Sequence, residues 1–238
     1  YLALYMYIKL TQRYIFKNAL AICSVTSQIR ERVRTLTHNK DKIAMIPNSI
    51  DLTRINKIAT ATRKRPVLCF VGSPNHKWHG VQRILDISKV CPEFDFRIIG
   101  PNFKESSKNF LNIKFVGERY GKELYRELKR ADVAISSLAL EELDMYVGSP
   151  LKTRWYLALG LPTILGYEDE SVNEKENFIF QILPNEWPLS YAKVQKLKKF
   201  VHYWHGKRIG KANLNSIDSK LIEAKRIKFL TERLNYHL

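Results

Sequence analysis

The chain has 238 residues, 45% hydrophobic and 26% charged, a balance that supports a folded core and excludes a disordered or low-complexity polypeptide. Its 40 Lys and Arg against 23 Asp and Glu leave a formal net charge of +17, which calls for an anionic partner: nucleic acid, anionic lipid or a phosphorylated substrate. No apolar stretch reaches the length of a membrane span, because Lys9, Arg13 and Lys17 interrupt the most hydrophobic one, and no secretory cleavage pattern is present.

The first expected helix covers residues 2–18, with its basic residues at every fourth position along one face. The remaining Tyr, Leu, Met, Ile and Phe suit a helix buried on most sides or one lying on a membrane surface, and the core-packed reading is the expectation. A strand follows at 19–25, then a helix capped by Ser27 and running to about Leu36, then a strand at 43–46 stopped by Pro47-Asn48. The polar stretch 58–65 reads as a linker. From Val67 onward the pattern alternates. Strands are expected at 67–71, 95–99, 113–116, 132–136, 162–165 and 178–182, and helices at 80–90, 121–129, 150–159, 190–205 and 218–235. That rhythm predicts an α/β fold, a Rossmann-like parallel sheet with helices on both faces. The three cysteines, Cys23, Cys69 and Cys91, are odd in number and read as reduced core residues.

Two segments carry chemistry. The run from Ser149 to Ile164 reads as a helix with Ser149 as N-cap and Pro150 in the first helical position, ended by Gly160 and Pro162. Lys152 falls in its first turn, where a cation opposes the helix dipole, so it is expected to face a negatively charged ligand. The other segment is the apolar strand 67–71 ending in Gly72, followed by the loop Ser73-Pro74-Asn75-His76-Lys77-Trp78-His79-Gly80 and a helix. That order puts Gly72, Ser73, Lys77 and His79 at the carboxyl end of a strand, where doubly wound folds bind ligands. The glycine spacing is neither that of a Walker loop nor that of a dinucleotide fingerprint.

Taken in order, Ile43 to Asp51, Gly72-Ser73 with Trp78-His79-Gly80-Val81, Phe96 to Gly100, Asn112 to Gly117, Arg130 to Ile135 and Ser149 to Thr163 resemble the nucleotide-sugar-binding half of a retaining, GT-B-fold glycosyltransferase of the large group 1 family. The resemblance spans roughly residues 20–170, and the tail, with Phe200 to Arg208 and Ile217-Asp218 before a basic helix, resembles a subgroup of that family. It implies a remnant of a second, acceptor-side Rossmann-like domain over 1–57, a linker at 58–65, the nucleotide-sugar-binding domain over 66–185 and closing helices over 186–238. Most of the acceptor-binding half is then missing, and a chain that begins at Tyr1 without a methionine fits a fragment.

The resemblance further implies that Gly72, Ser73, Lys77, His79, Ser149, Pro150, Leu151 and Lys152 receive the donor and its phosphates, with Gly117 and Trp155 on the nucleoside side. It leaves the catalytic residues unknown and implies no cofactor and no metal, because metal-independent members neutralise the departing diphosphate with basic side chains and a helix N-terminus. Which of Lys77 and His79 reaches the phosphates stays open. Where the family carries two glutamates separated by seven residues, this chain has Val147 and Trp155. Glu141, Glu142 and Asp144 could supply the first of them by a register shift, though a solvated acidic loop is the plainer reading. Glu168-Asp169-Glu170 reads as a turn, and none of the six histidines, His38, His76, His79, His202, His205 and His237, makes a zinc-type pair with a cysteine.

The implied function is sugar transfer from a nucleoside-diphosphate sugar to a glycan or lipid-linked acceptor in cell-surface polysaccharide or glycolipid assembly, with retention, on the cytoplasmic side and at an anionic membrane surface. The chain alone is expected to turn over little. The alternative is a degenerate glycosyltransferase-like scaffold in which Val147 and Trp155 have abolished donor binding. Nucleic-acid binding ranks last, since no nucleic-acid motif accompanies the charge.

Overall fold

The computed structural model describes residues 2–37, 40–60, 63–101, 110–172 and 175–235; His38 and His237 lie outside them. The chain opens with α1 (Leu2–Asn18), β1 (Ile22–Ser24), α2 (Ser27–Arg34) and β2 (Ile43–Met45), and β1 and β2 pair in parallel as a two-stranded sheet. There follow β3 (Val67–Val71), α3 (Val81–Val90), β4 (Asp95–Ile99), β5 (Ile113–Gly117), α4 (Gly121–Leu128), β6 (Val133–Ile135), α5 (Leu151–Ala158), β7 (Thr163–Leu165) and β8 (Ile179–Gln181). Two long helices, α6 (Tyr191–Trp204) and α7 (Ser219–Asn235), complete the chain.

The six later strands form one sheet in the order β5-β4-β3-β6-β7-β8, every pair parallel. Continuous apolar strands demand cover on both faces, and they receive it. Leu68 and Phe70 of β3 join one core cluster with Ile84 and Ile87 of α3, while Cys69 between them joins a second with Leu128 of α4 and Tyr156 of α5. The chain winds outward from β3 through β4 to β5, then returns to lay β6 on the other side of β3. The crevice outside the carboxyl ends of β3 and β6 is therefore a topological switch point. The ends of β3 and β4 approach so closely there that a Cβ on Gly100, at φ +100°, would stand 1.7 Å from the Gly72 carbonyl oxygen.

Several sequence expectations are corrected locally. Helix α1 is not core-packed: Leu4, Tyr7, Leu10 and Tyr14 are 59–71% exposed, and Lys42 Nζ reaches its end at the Lys17 carbonyl oxygen, 2.8 Å away. Thr26, not Ser27, caps α2, its Oγ1 accepting from the Ile29 N–H at 3.2 Å. Cys23 is exposed, unlike Cys69 and Cys91, whose burial pushes both thiols up to about 12. Ile58, the first residue of the expected linker, is buried and donates its N–H to the Leu159 carbonyl, so this stretch starts from an anchor on α5. Among the described residues no helix is long and apolar enough to cross a membrane.

Candidate anion-binding site

Helix α5 starts one residue later than the sequence suggests. Pro150 is the N-cap, with extended backbone, and the Thr153 and Arg154 N–H groups both turn back to its carbonyl, at 3.1 and 3.4 Å. The first-turn N–H groups of Leu151 and Lys152 have no acceptor within the helix, which leaves the positive end of the dipole open toward the crevice. Lys152 extends from that turn to the end of β3. Its Nζ lies 3.4 Å from the Val71 carbonyl oxygen and 3.5 Å from His79 Nδ1. The rings of Phe70 and Trp78 stand 4.5 and 5.6 Å from it. Tyr156, one turn further along α5, accepts from the Val71 N–H at 2.9 Å, locking helix to strand.

Among the described residues no carboxylate pairs with Lys152. Burial pushes its ammonium down to about 7. His79 is 3% exposed, packed against Trp78 with ring centroids 3.9 Å apart and edge-on to Phe70 at 5.3 Å. Burial first, and then the charge of Lys152, push it down to about 3, so the imidazole is neutral. Since Nδ1 accepts from the Lys152 ammonium, the ring proton sits on Nε2, a buried atom with no partner among the described residues. A Cβ on Gly72 would stand 2.7 Å from His79 Nε2, so only glycine leaves the imidazole its place. A desolvated ammonium with no carboxylate partner among the described residues and a helix N-terminus whose first N–H groups have no acceptor within the helix lie together at the end of β3, an arrangement that can take a di-anion.

The structure brings Gly72, His79, Pro150, Leu151 and Lys152 together. Ser73 and Lys77 instead line an adjoining cavity of about 900 Å³, with Arg83, Pro101, Ala139 and Glu142 on its walls. Ser149 is committed elsewhere: its Oγ accepts from the Asn48 N–H at 3.0 Å and from Arg154 Nη2 at 2.7 Å. Gly117 ends β5 at φ +75°, its carbonyl accepting from the Gly100 N–H. Trp155 is half-buried, packed on the cluster that Val71 and Val116 also border. Val147 makes a parallel bridge with Glu168, and Glu141 is held by Arg83, whose guanidinium lies 5.0 Å from the Trp187 ring. His202 packs edge-on against Phe94, and His205 stands 4.0 Å from Asp132.

One group near the site is absent from the sequence reading. Arg154 is fully buried and makes a two-pronged ion pair with Asp169, at 2.6 and 2.9 Å, while its Nε donates to the Asn48 carbonyl at 2.8 Å. A buried guanidinium needs acceptors on every side, which is why Ser149 faces inward rather than capping α5. Asp169 thus belongs to this pair, and Glu170 of the same turn accepts from the Ser27 N–H at 2.7 Å.

The sequence matches no protein-family model and no curated protein. Solved structures do match. The chain is similar to the apo form of lipopolysaccharide outer core galactosyltransferase WaaB, at 12% identity and a TM-score of 0.63 over 92% of this chain and 63% of that one. It is similar to sucrose-phosphate synthase from Thermosynechococcus elongatus, at 14% identity and a TM-score of 0.68 over 97% of this chain and 62% of that one. A third is Anabaena Alr3699/HepE in complex with UDP-glucose, at 12% identity and a TM-score of 0.63 over 94% and 68% of the two chains. These likenesses establish the fold, that of the GT-B glycosyltransferases, of which this chain represents a part. It spans less than two thirds of the length of the first two.

Proposed function

We propose that the chain is the nucleotide-sugar-binding part of a glycosyltransferase, and that the diphosphate of the donor lies between Lys152 and the first turn of α5. The observation that carries this reading is the Lys152 ammonium: half-buried, without a carboxylate partner among the described residues, and set at the switch point of a doubly wound sheet. A buried cation left without a counter-ion is unfavourable in the empty protein and becomes favourable when a diphosphate supplies the charge. As the sugar leaves, charge develops on the bridging phosphate oxygen, where the same donors stabilise it without an added cation. UDP and UDP-glucose in structures of the neighbour HepE support a nucleoside-diphosphate donor.

Retention of configuration, a role in cell-surface polysaccharide or glycolipid assembly, a glycan or lipid-linked acceptor, and the division into a 1–57 remnant, a linker and a donor domain belong to the same proposal. So does low turnover by this chain alone, since transfer needs donor and acceptor held together and the chain covers only part of its neighbours. The test is calorimetric titration of the chain with UDP, GDP and inorganic pyrophosphate. Saturable binding of a nucleoside diphosphate, tighter than pyrophosphate, is the expected result; no binding of any of the three contradicts the reading and favours a scaffold in which Trp155 and Val147 mark a lost donor site.

A further inference from the structure

The loop that delivers α5, residues 144–149, is held by side chains from the far N-terminal part of the chain. Gln28, in the first turn of α2, accepts from the Tyr146 N–H at 2.8 Å and the Val147 N–H at 3.1 Å, and donates its Nε2 to the Asp144 carbonyl at 2.6 Å. Asn48, just beyond β2, donates its Nδ2 to the Ser149 carbonyl at 2.6 Å and its N–H to Ser149 Oγ at 3.0 Å. Its own carbonyl accepts from Arg154 Nε, within the first two turns of α5. Both ends of the loop are therefore fixed across sequence separations of more than 100 residues, by two amide side chains that lie outside the six-stranded sheet.

This matters for the anion site because Pro150 has no N–H and caps α5 with its carbonyl alone. The direction of the Leu151 and Lys152 N–H groups is then set by how the Ser149–Pro150 peptide is held, and Asn48 holds it from one side while Gln28 fixes the backbone that leads into it. We infer that Gln28 and Asn48 are positioning residues for diphosphate binding: the β1-α2-β2 unit sets the aim of the α5 N-terminus, so that displacing this unit from the large sheet loosens the grip on the ligand. The inference rests on the donor-binding reading above. It goes beyond it by making affinity depend on two residues that touch no ligand, and by coupling the small sheet to the donor site.

The decisive variant is Gln28→Ala, because Gln28 is only partly buried and its removal leaves the core intact. Calorimetry with UDP and thermal melts are run on the wild type, Gln28→Ala, Gln28→Glu and Asn48→Ala. Gln28→Ala removes all three of these hydrogen bonds and weakens UDP binding about tenfold, while the protein still folds and melts cooperatively, at a lower Tm. Gln28→Glu, which keeps an acceptor for the Tyr146 and Val147 N–H groups, recovers much of that loss, a rescue that a merely structural role does not produce. In the wild type, UDP also slows amide exchange at Tyr146 and Val147, and in Gln28→Ala this protection is lost. Should Gln28→Ala bind UDP within twofold of the wild type, or should Gln28→Glu be as weak as Gln28→Ala, the positioning role is overturned while the donor site stands. Failure of the wild type itself to bind UDP overturns the donor reading, and this inference with it.

Discussion

Lys152 Nζ and His79 Nδ1 stand 3.5 Å apart, joining the first turn of α5 to the loop that leaves β3. Two basic groups in contact, with no carboxylate pairing Lys152 among the described residues, are unfavourable unless one of them is neutral or an anion joins them. His79 takes the first course, held down to about 3 by burial, and Lys152, held down to about 7, is ready for the second.

That arrangement dictates a pH signature. Lys152 ordinarily titrates at 10.5, so between about pH 7 and 10.5 the unfolded chain binds more protons than the native one, and stability from this group rises with pH through that window. His79, at about 3 against 6.5, gives the same sign between about pH 3 and 6.5. Lys152→Met is therefore expected to be more stable than the wild type near pH 6, with the difference narrowing as the pH approaches 10. Melts of both proteins across this range check it. A difference that is the same at pH 6 and pH 9.5 contradicts the buried, unpaired ammonium.

Trp155 follows Lys152 by one turn on α5, facing the region bordered by Val71 and Val116. Trp155→Glu is expected to strengthen UDP binding by roughly 1.5 to 3 kcal/mol, a charged acceptor gaining hydrogen bonds to ribose hydroxyls, and to leave pyrophosphate affinity without that gain. Stability falls at the same time, because the indole's packing is lost. Calorimetry with both ligands and a melt of the variant separate these effects. Equal changes for UDP and pyrophosphate contradict the placing of residue 155 beside the nucleoside.

A contact with anionic lipid is part of the proposed reading, and the exposed α1 predicts its form. Leu4, Tyr7, Leu10 and Tyr14 project into solvent, while Lys9, Arg13 and Lys17 repeat along one stripe. Each basic residue near an anionic surface contributes about 1 kcal/mol, and the Debye length shrinks from about 10 Å at 0.1 M salt to 3 Å at 1 M. Co-sedimentation with anionic vesicles is expected at low salt and to fall steeply as salt rises. Equal sedimentation with neutral vesicles, or no loss at high salt, contradicts an electrostatic contact.

The sheet was legible in the sequence because β3 (Val67–Val71) and β6 (Val133–Ile135), at its centre, are unbroken apolar runs, a local signal. The core of the site was legible for the same reason: Gly72, His79, Pro150 and Lys152 sit at strand and helix ends that a local pattern marks. What was hidden depends on distant partners. Arg154 carries no local signal of its role, and it is fully buried because Asp169, Ser149 and the Asn48 carbonyl surround it. Ser149 reads locally as a helix cap, and that guanidinium takes its hydroxyl instead. Gln28 carries no motif at all, and its partners lie 116 to 119 residues away. The exposure of α1 was equally hidden, since an apolar helix signals burial and not what covers it.

The most direct measurement of the central claim is UDP titration of the wild type and Lys152→Met by calorimetry at pH 6, below the depressed Lys152 value of about 7, where the ammonium form predominates in the free protein. Removing a charge-assisted contact to a phosphate costs about 1.5 to 3 kcal/mol, so the variant is predicted to bind roughly 10- to 100-fold more weakly while remaining folded. Equal UDP affinity of the two folded proteins would contradict the assignment of Lys152 and the α5 N-terminus as the diphosphate site.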